Sequence, residues 1–170
     1  MKHTISVTLE DKPGALTRIT TMFARRGFNI ESLAVGPTER PGVSCVTMRV
    51  DCSQHSLEQI EKQIHKLVNV LRVVELVPGE AVERELMLVK VAAGPEKRAE
   101  LIACAEALGA HVLDVGPDAV MLELTAAPEQ LDGFHELCRP FGVQELLRTG
   151  RVGLPRASAR KQARRLAAIN

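Results

Sequence analysis

The sequence predicts an α+β fold of two tandem βαββαβ units, and three observations predict it. Over the first 78 residues, strand-like alternation and helix-like spacing of apolar residues succeed one another in the order strand, helix, strand, strand, helix, strand. The same order recurs over residues 86–150, without strong identity between the halves. Pro78 and Gly79 break the chain between them, and residues 79–85, rich in acid, read as a linker. The expected organisation is therefore a first domain over 1–78, a linker over 79–85, a second domain over 86–150 and a basic tail over 151–170.

In residues 3–10, Ile5, Val7 and Leu9 alternate with Thr4, Ser6 and Thr8, as a strand with one buried face requires. Asp11, Lys12, Pro13 and Gly14 make a turn. Leu16, Ile19, Met22 and Phe23 then recur at helical spacing; Asp11 is the expected N-cap and Gly27 the left-handed C-terminal stop. Residues 30–35 and 43–50 are strands on either side of a loop of turn formers. Leu57, Ile60, Ile64, Leu67 and Val68 line a second helix, and residues 70–77 form the closing strand. In the second unit, residues 86–92 are a strand. Leu101, Ile102, Ala105 and Leu108 mark the inner face of a helix over 96–108, stopped by Gly109. A hairpin over 112–115 and 120–124 turns at Gly116, Pro117 and Asp118. Leu131, Phe134, Leu137 and Cys138 line the last helix, and residues 143–148 the last strand.

Both units are ferredoxin-like in their element order. Such a unit lays its helices on one face of a four-stranded antiparallel sheet and leaves the other face and the edges to be covered. Units of under ~80 residues bury little apolar surface alone, so pairing with a second copy is expected.

Composition narrows the function. The 170 residues are 45% hydrophobic, enough to build packed cores. Lys and Arg total 22 against 21 Asp and Glu, but six of the basic residues lie in 150–170, where there is no acid. The remainder carries 16 basic against 21 acidic residues, a balance of −5, so the folded body has no general attraction for a polyanion. The opening MKHTISVTLEDK alternates and lacks the apolar core of a signal peptide. No apolar run approaches the ~20 residues of a membrane span. A cytoplasmic protein without membrane contact is expected. Cys45, Cys52, Cys104 and Cys138 form no CxxC pair and read as small hydrophobes.

Catalytic equipment is sparse. The chain has no HExxH, GxSxG, P-loop or GxGxxG. His135 and Glu136 are adjacent on one helix and point apart, while His3, His55, His65 and His111 belong to separate elements. No catalytic residue, metal or cofactor is expected. Ferredoxin-like sheets that bind RNA stack bases on aromatic strand residues. Here aromatic content is 2%, and Phe23, Phe28, Phe134 and Phe141 lie outside any basic strand motif, so nucleic acid is not the expected partner. The tail reads as a solubilising helix over 157–169. An RNA-binding protein using that tail is the least favoured reading.

What remains is the turn at Asp11, Lys12, Pro13 and Gly14. Backbone N–H groups at a helix start are unpaired and lie at the positive end of its dipole, so Gly14, Ala15 and Leu16 can seat a small carboxylate. A capped helix with no ligand explains the same residues.

At these residues the chain resembles the regulatory small subunit of acetohydroxyacid synthase (acetolactate synthase), whose first half is an ACT domain. The segments LEDKPGALTRITTMFARRGFNIESLAVGPTE, LEQIEKQIHKLVNVLRVVEL, VERELMLVKV and RTGRVGLPR carry the resemblance in family order. It implies that two ACT domains pair and bind a branched-chain amino acid, valine above all, at their interface. Gly14, Ala15 and Leu16 would then meet the carboxylate, with Asp11 near the ammonium. Asn29 and Ile30 of the partner subunit would close the pocket, and Leu16, Ile30, Leu33 and Val35 would form its apolar wall. Relatives often carry Asn in place of Asp11; Asp keeps the acceptor and loses the amide donor. The resemblance further implies a homodimer bound to a catalytic large subunit, which alone uses thiamine diphosphate, Mg²⁺ and FAD to condense pyruvate into acetolactate. The alternative is a free-standing ACT-type sensor acting on another enzyme or a transcription factor.

Overall fold

Strand β1 (Lys2–Glu10) is the centre of the first unit and pairs antiparallel on both sides, with β3 (Val43–Asp51) and β4 (Val70–Glu75). The structure, a computed structural model, describes residues 1–158. Helix α1 (Ala15–Arg25) follows β1 and leads into β2 (Asn29–Pro37), which pairs with β3; α2 (Leu57–Ile64) joins β3 to β4. The sheet order is β2-β3-β1-β4. The second unit repeats it with β5 (Ala81–Ala92), α3 (Pro95–Ala107), β6 (His111–Val115), β7 (Ala119–Ala126), α4 (Pro128–Cys138) and β8 (Val143–Arg148), in the order β6-β7-β5-β8. This is the predicted fold class, two ferredoxin-like βαββαβ units in tandem.

Each unit has its own core, and the two are built alike. Ile5, Val7, Val46, Met48 and Val50 of the first sheet meet Ile19, Phe23, Ile60 and Ile64 of its helices. Met87, Val89, Val91, Val120 and Leu122 of the second sheet meet Leu101, Ala105, Leu131 and Phe134. Every one of these side chains is at most 1% exposed. Burying each large one stabilises the fold by roughly 1.5–3 kcal/mol. Both first helices end alike. The Phe28 N–H bonds the Phe23 carbonyl at 3.0 Å and the Ala110 N–H the Ala105 carbonyl at 3.0 Å, past Gly27 and Gly109 in left-handed conformation. Phe28 also stands edge-on to Phe23, with ring centroids 5.5 Å apart.

Several expectations are corrected. Ala81–Glu85 are not linker but the first residues of the 12-residue β5. Their partner lies within the expected tail: β9 (Val152–Pro155) pairs antiparallel with β5 from Ala81↔Pro155 to Arg84↔Val152. Helix α2 stops at Ile64, so Leu67 lies beyond it, though still packed against the core, and Val68 is 86% exposed. The helix expected over 157–169 falls almost wholly on residues 159–170, outside the described residues.

The open face of the first sheet is polar and yet buried. Thr4, Ser6 and Thr47 are 4%, 9% and 4% exposed. By strand alternation Ser32 and Leu76 lie on that same face. The segment after β8 reaches both: a Cβ on Gly150 would lie 3.2 Å from Ser32 Cβ, and one on Gly153 2.8 Å from Leu76 Cδ1. The second unit thus contacts the first on the side without helices.

Candidate functional site

The turn between β1 and α1 is built from backbone bonds. The Asp11 N–H bonds the Gly42 carbonyl at 2.8 Å, the Lys12 N–H bonds the Glu10 carbonyl at 3.0 Å and the Ala15 N–H bonds the Lys12 carbonyl at 3.1 Å. Gly14 is the N-cap, at φ 81° and ψ −4°, a left-handed conformation that favours glycine. A Cβ there would meet nothing within 4 Å, so conformation rather than space selects the residue. The expected Asp11 N-cap is therefore corrected: no side chain caps α1, because the helix begins four residues later than Asp11.

Among the described residues the N–H groups of Gly14, Leu16 and Thr17 have no acceptor. Ala15 is the exception to the expected trio, its N–H being bound to Lys12. Thr17 is not among the expected residues; with Ala15 the first helical residue, its N–H falls in the open first turn. No acidic side chain lies in that turn, so the dipole end is not neutralised from within α1. Beside it, Glu10 accepts from Asn69 Nδ2 at 2.9 Å and pairs with Lys12 Nζ at 3.0 Å. The Asn69 hydrogen bond, with Lys12, holds the Glu10 carboxyl below its ordinary pKa. Lys12 is thereby drawn to Glu10. Asp11 and Leu16 are exposed, Leu16 at 36% and so not on the inner face where its spacing put it.

The other expected residues lie on β2, an edge strand. Asn29 is exposed opposite Asp51, Ile30 is half-buried opposite Val50, Leu33 is half-buried opposite Met48, and Val35 is 49% exposed opposite Val46. Ile30 and Leu33 pack against the first core, so each offers only its outer flank. The register slips between Ile30 and Ser32, and Glu31 there bonds Lys2 Nζ at 2.5 Å and Arg49 Nε at 3.2 Å. The Lys2 contact leads in lowering the Glu31 pKa.

Asn29 stands at the opposite end of α1 from the turn. Eleven residues of helix span ~16 Å, so one protomer does not bring Asn29 to the open amides. Among the described residues no group of three or more His, Cys, Asp or Glu is placed to hold a metal ion. No helix there is long and apolar enough to cross a membrane.

These features define a class: a tandem ferredoxin-like protein whose first domain is of ACT type, with an open helix N-terminus and an unpaired edge strand. Residues 5–72 match the family model described as AHAS small subunit-like ACT domain, and residues 84–157 that described as small subunit of acetolactate synthase. The chain belongs to the acetolactate synthase small subunit family. It is 43% identical over 158 residues to a probable acetolactate synthase small subunit of Archaeoglobus fulgidus, covering 93% of this chain and 99% of that protein. It is 42% identical over 154 residues to the acetolactate synthase small subunit of Mycolicibacterium smegmatis, covering 91% of each. The crystal structure of the Thermotoga maritima acetolactate synthase small subunit superposes with a TM-score of 0.84 at 36% identity, covering 92% of this chain and 98% of that one.

Proposed function

We propose that this chain binds a branched-chain amino acid, valine first, between the ACT domains of two copies, and so controls the catalytic subunit of acetolactate synthase. The carrying observation is the N-terminus of α1, with three N–H groups open and no acid in its first turn. A zwitterion needs an anion site, an acceptor for its ammonium and a small apolar wall. Gly14, Leu16 and Thr17 supply the first, Asp11 the second, and Ile30, Leu33 and Val35 the third.

A second copy supplies the geometry that one chain lacks. Antiparallel pairing of two β2 edges centred near Leu33 sets Asn29 of the partner subunit opposite Pro37. Pro37 pairs with Ser44, next to the Gly42–Val43 corner that holds Asp11. Each amide cluster then faces the neighbour's Asn29 end, and two equivalent sites form about the dyad. A ligand shared by two subunits changes how they pack, and a coupling of about 1–3 kcal/mol gives roughly 5- to 150-fold control. The thiamine diphosphate, Mg²⁺ and FAD chemistry belongs to the catalytic partner, in the cytoplasm.

The test is calorimetric titration with valine, leucine and isoleucine, together with holoenzyme assays. Gly14→Asp sets a carboxylate in the anion seat, and Asn29→Lys fills the pocket's far wall. Both are expected to abolish valine binding and valine inhibition while activation of the catalytic subunit persists. Gly14→Ala is the control, costing roughly 1–2 kcal/mol of backbone strain without a new charge. Valine inhibition unchanged in both charged variants removes the site.

A further inference from the structure

Helices α1 and α2 enclose between them a groove of about 870 Å³ on the helical face of the first unit, reaching Phe28, the residue before β2. Its floor is apolar: Phe28 is buried, and Met22 and Leu67 are half-buried. Its rim is basic, carrying exposed Arg18, Arg25, Arg26 and Lys66. No Asp or Glu lines it. Arg18 donates to Asn69 Oδ1 at 2.9 Å, but none of the four cations takes part in an ion pair among the described residues. Lys2, Lys12, Arg49, Arg148 and Arg151 all do; Arg72, Arg84, Lys97, Arg98 and Arg156 do not, but the four at the groove are gathered on one rim. Basic residues gathered without counter-charge around an apolar floor are the complement of an acidic amphipathic surface.

We propose that this groove receives an acidic amphipathic helix of the catalytic subunit. Its apolar stripe lies on Met22, Phe28 and Leu67, and carboxylates two turns apart meet Arg18 at one end and Arg25 with Arg26 at the other. Arg18 and Arg25 are seven residues apart, ~10.5 Å along α1, which matches acids at i and i+7 of the incoming helix. A chain segment fits better than a small molecule. The volume is near the top of the ~300–1,000 Å³ range of ligand sites, and the four cations on its rim face solvent rather than converging in an enclosed cleft. This inference rests on the reading that the chain serves a catalytic subunit, and it names where that subunit sits. It also gives the two sites a common element. Thr17, whose N–H is open in the proposed effector site, also lines the groove, so α1 would meet the effector with its first turn and the partner with its flank.

The experiment is binding of purified catalytic subunit to the full chain and to Arg25→Glu/Arg26→Glu, with Arg25→Gln/Arg26→Gln as a milder pair. Valine titration of each variant reports whether the ACT fold and effector site survive. The expected result is at least tenfold weaker association for the Glu pair and a smaller loss for the Gln pair. Both variants keep wild-type valine affinity, and wild-type association weakens as salt rises. A photo-crosslinker at Thr21 is expected to capture a helix of the catalytic subunit bearing Asp or Glu. Unchanged association of the Glu pair, or capture of a segment without acid, overturns the groove. So does ATP or RNA binding to wild type that the Glu pair abolishes while subunit association persists. If wild type itself fails to bind the catalytic subunit, the function proposed above falls instead.

Discussion

Cys138 shows what burial does to a single side chain. It is fully buried on the inner face of α4, as its helical spacing predicted, and burial pushes its thiol up to about 11 from an ordinary 9.0. At pH 8 the thiolate is then about one part in a thousand. Iodoacetamide at that pH, followed by mass spectrometry, is expected to modify half-buried Cys45 and Cys104 well before Cys138. The linkage has a definite sign. The folded state holds the proton more tightly, so the contribution of Cys138 to stability is complete below pH 9 and is lost as pH rises through about 11. Equal labelling of all four cysteines would show that α4 does not pack as described. Burial of this kind was legible because it follows from local spacing. The cap of α1 was not. Asp11 has a good capping side chain, but Gly14 in the left-handed region starts the helix later. Asn69, which engages both Glu10 and Arg18, is remote in sequence from each.

At the scale of elements, β9 carries the contrast between local and remote signals. Strands with alternating Val, Ile and Leu announced themselves, whereas Val152–Pro155 is four residues long, includes a glycine and pairs with a strand some 70 residues earlier. Nothing within RTGRVGLPR reveals that partner, and without it Ala81–Glu85 read as linker. The structure shows why the segment is spaced as it is. Glu85, 6% exposed, accepts from the Gly150 N–H at 3.1 Å and from Arg148 Nη2 at 2.5 Å, holding the bend through which the chain continues along β5 from β8 into β9. Arg151 then pairs with Glu83 at 2.8 Å. Gly153 has no room for a side chain: a Cβ would come within 2.8 Å of Leu76 Cδ1 and 3.1 Å of the Val82 carbonyl. Gly153→Ala is therefore expected to cost about 1–3 kcal/mol by overpacking. Because Leu76 belongs to the first unit and Val82 to the second, the loss falls on their junction. Denaturant unfolding is expected to change from one transition to two. A single unshifted transition would mean that β9 does not couple the units. Glu85→Ala acts on the same bend by leaving Arg148 with Asp132 and the Pro128 carbonyl, and an expected loss of about 2–4 kcal/mol in chemical denaturation checks it.

For the whole molecule, two similar cores followed from patterns that each half repeats, but the arrangement of the halves rests on Gly150 against Ser32 and Gly153 against Leu76, contacts between residues far apart in sequence. That arrangement has a consequence for assembly. With the second unit on the open face and α1 and α2 on the other, the first sheet keeps only its edges free, β2 and β4. Both carry exposed apolar residues, Val35 at 49% on β2 and Leu71 at 53% on β4. Only β2 bears Asn29, and in the dimer proposed above it is pairing through β2 that brings that residue of one copy toward the open amides of the other. A lysine at an edge position opposes strand pairing through its charge and its hydration. Val35→Lys is accordingly expected to lower the mass measured by light scattering from twice to once the chain's 18.5 kDa, and to remove valine binding with the dimer although Gly14, Leu16 and Thr17 are untouched. Leu71→Lys, on the other edge, should leave both dimer and valine affinity in place. Were Val35→Lys to remain dimeric and bind valine as before, the amides of α1 would have to be served by some surface other than β2. Were Leu71→Lys the monomeric variant, the pairing edge would be β4, and Asn29 would lose its place in the site.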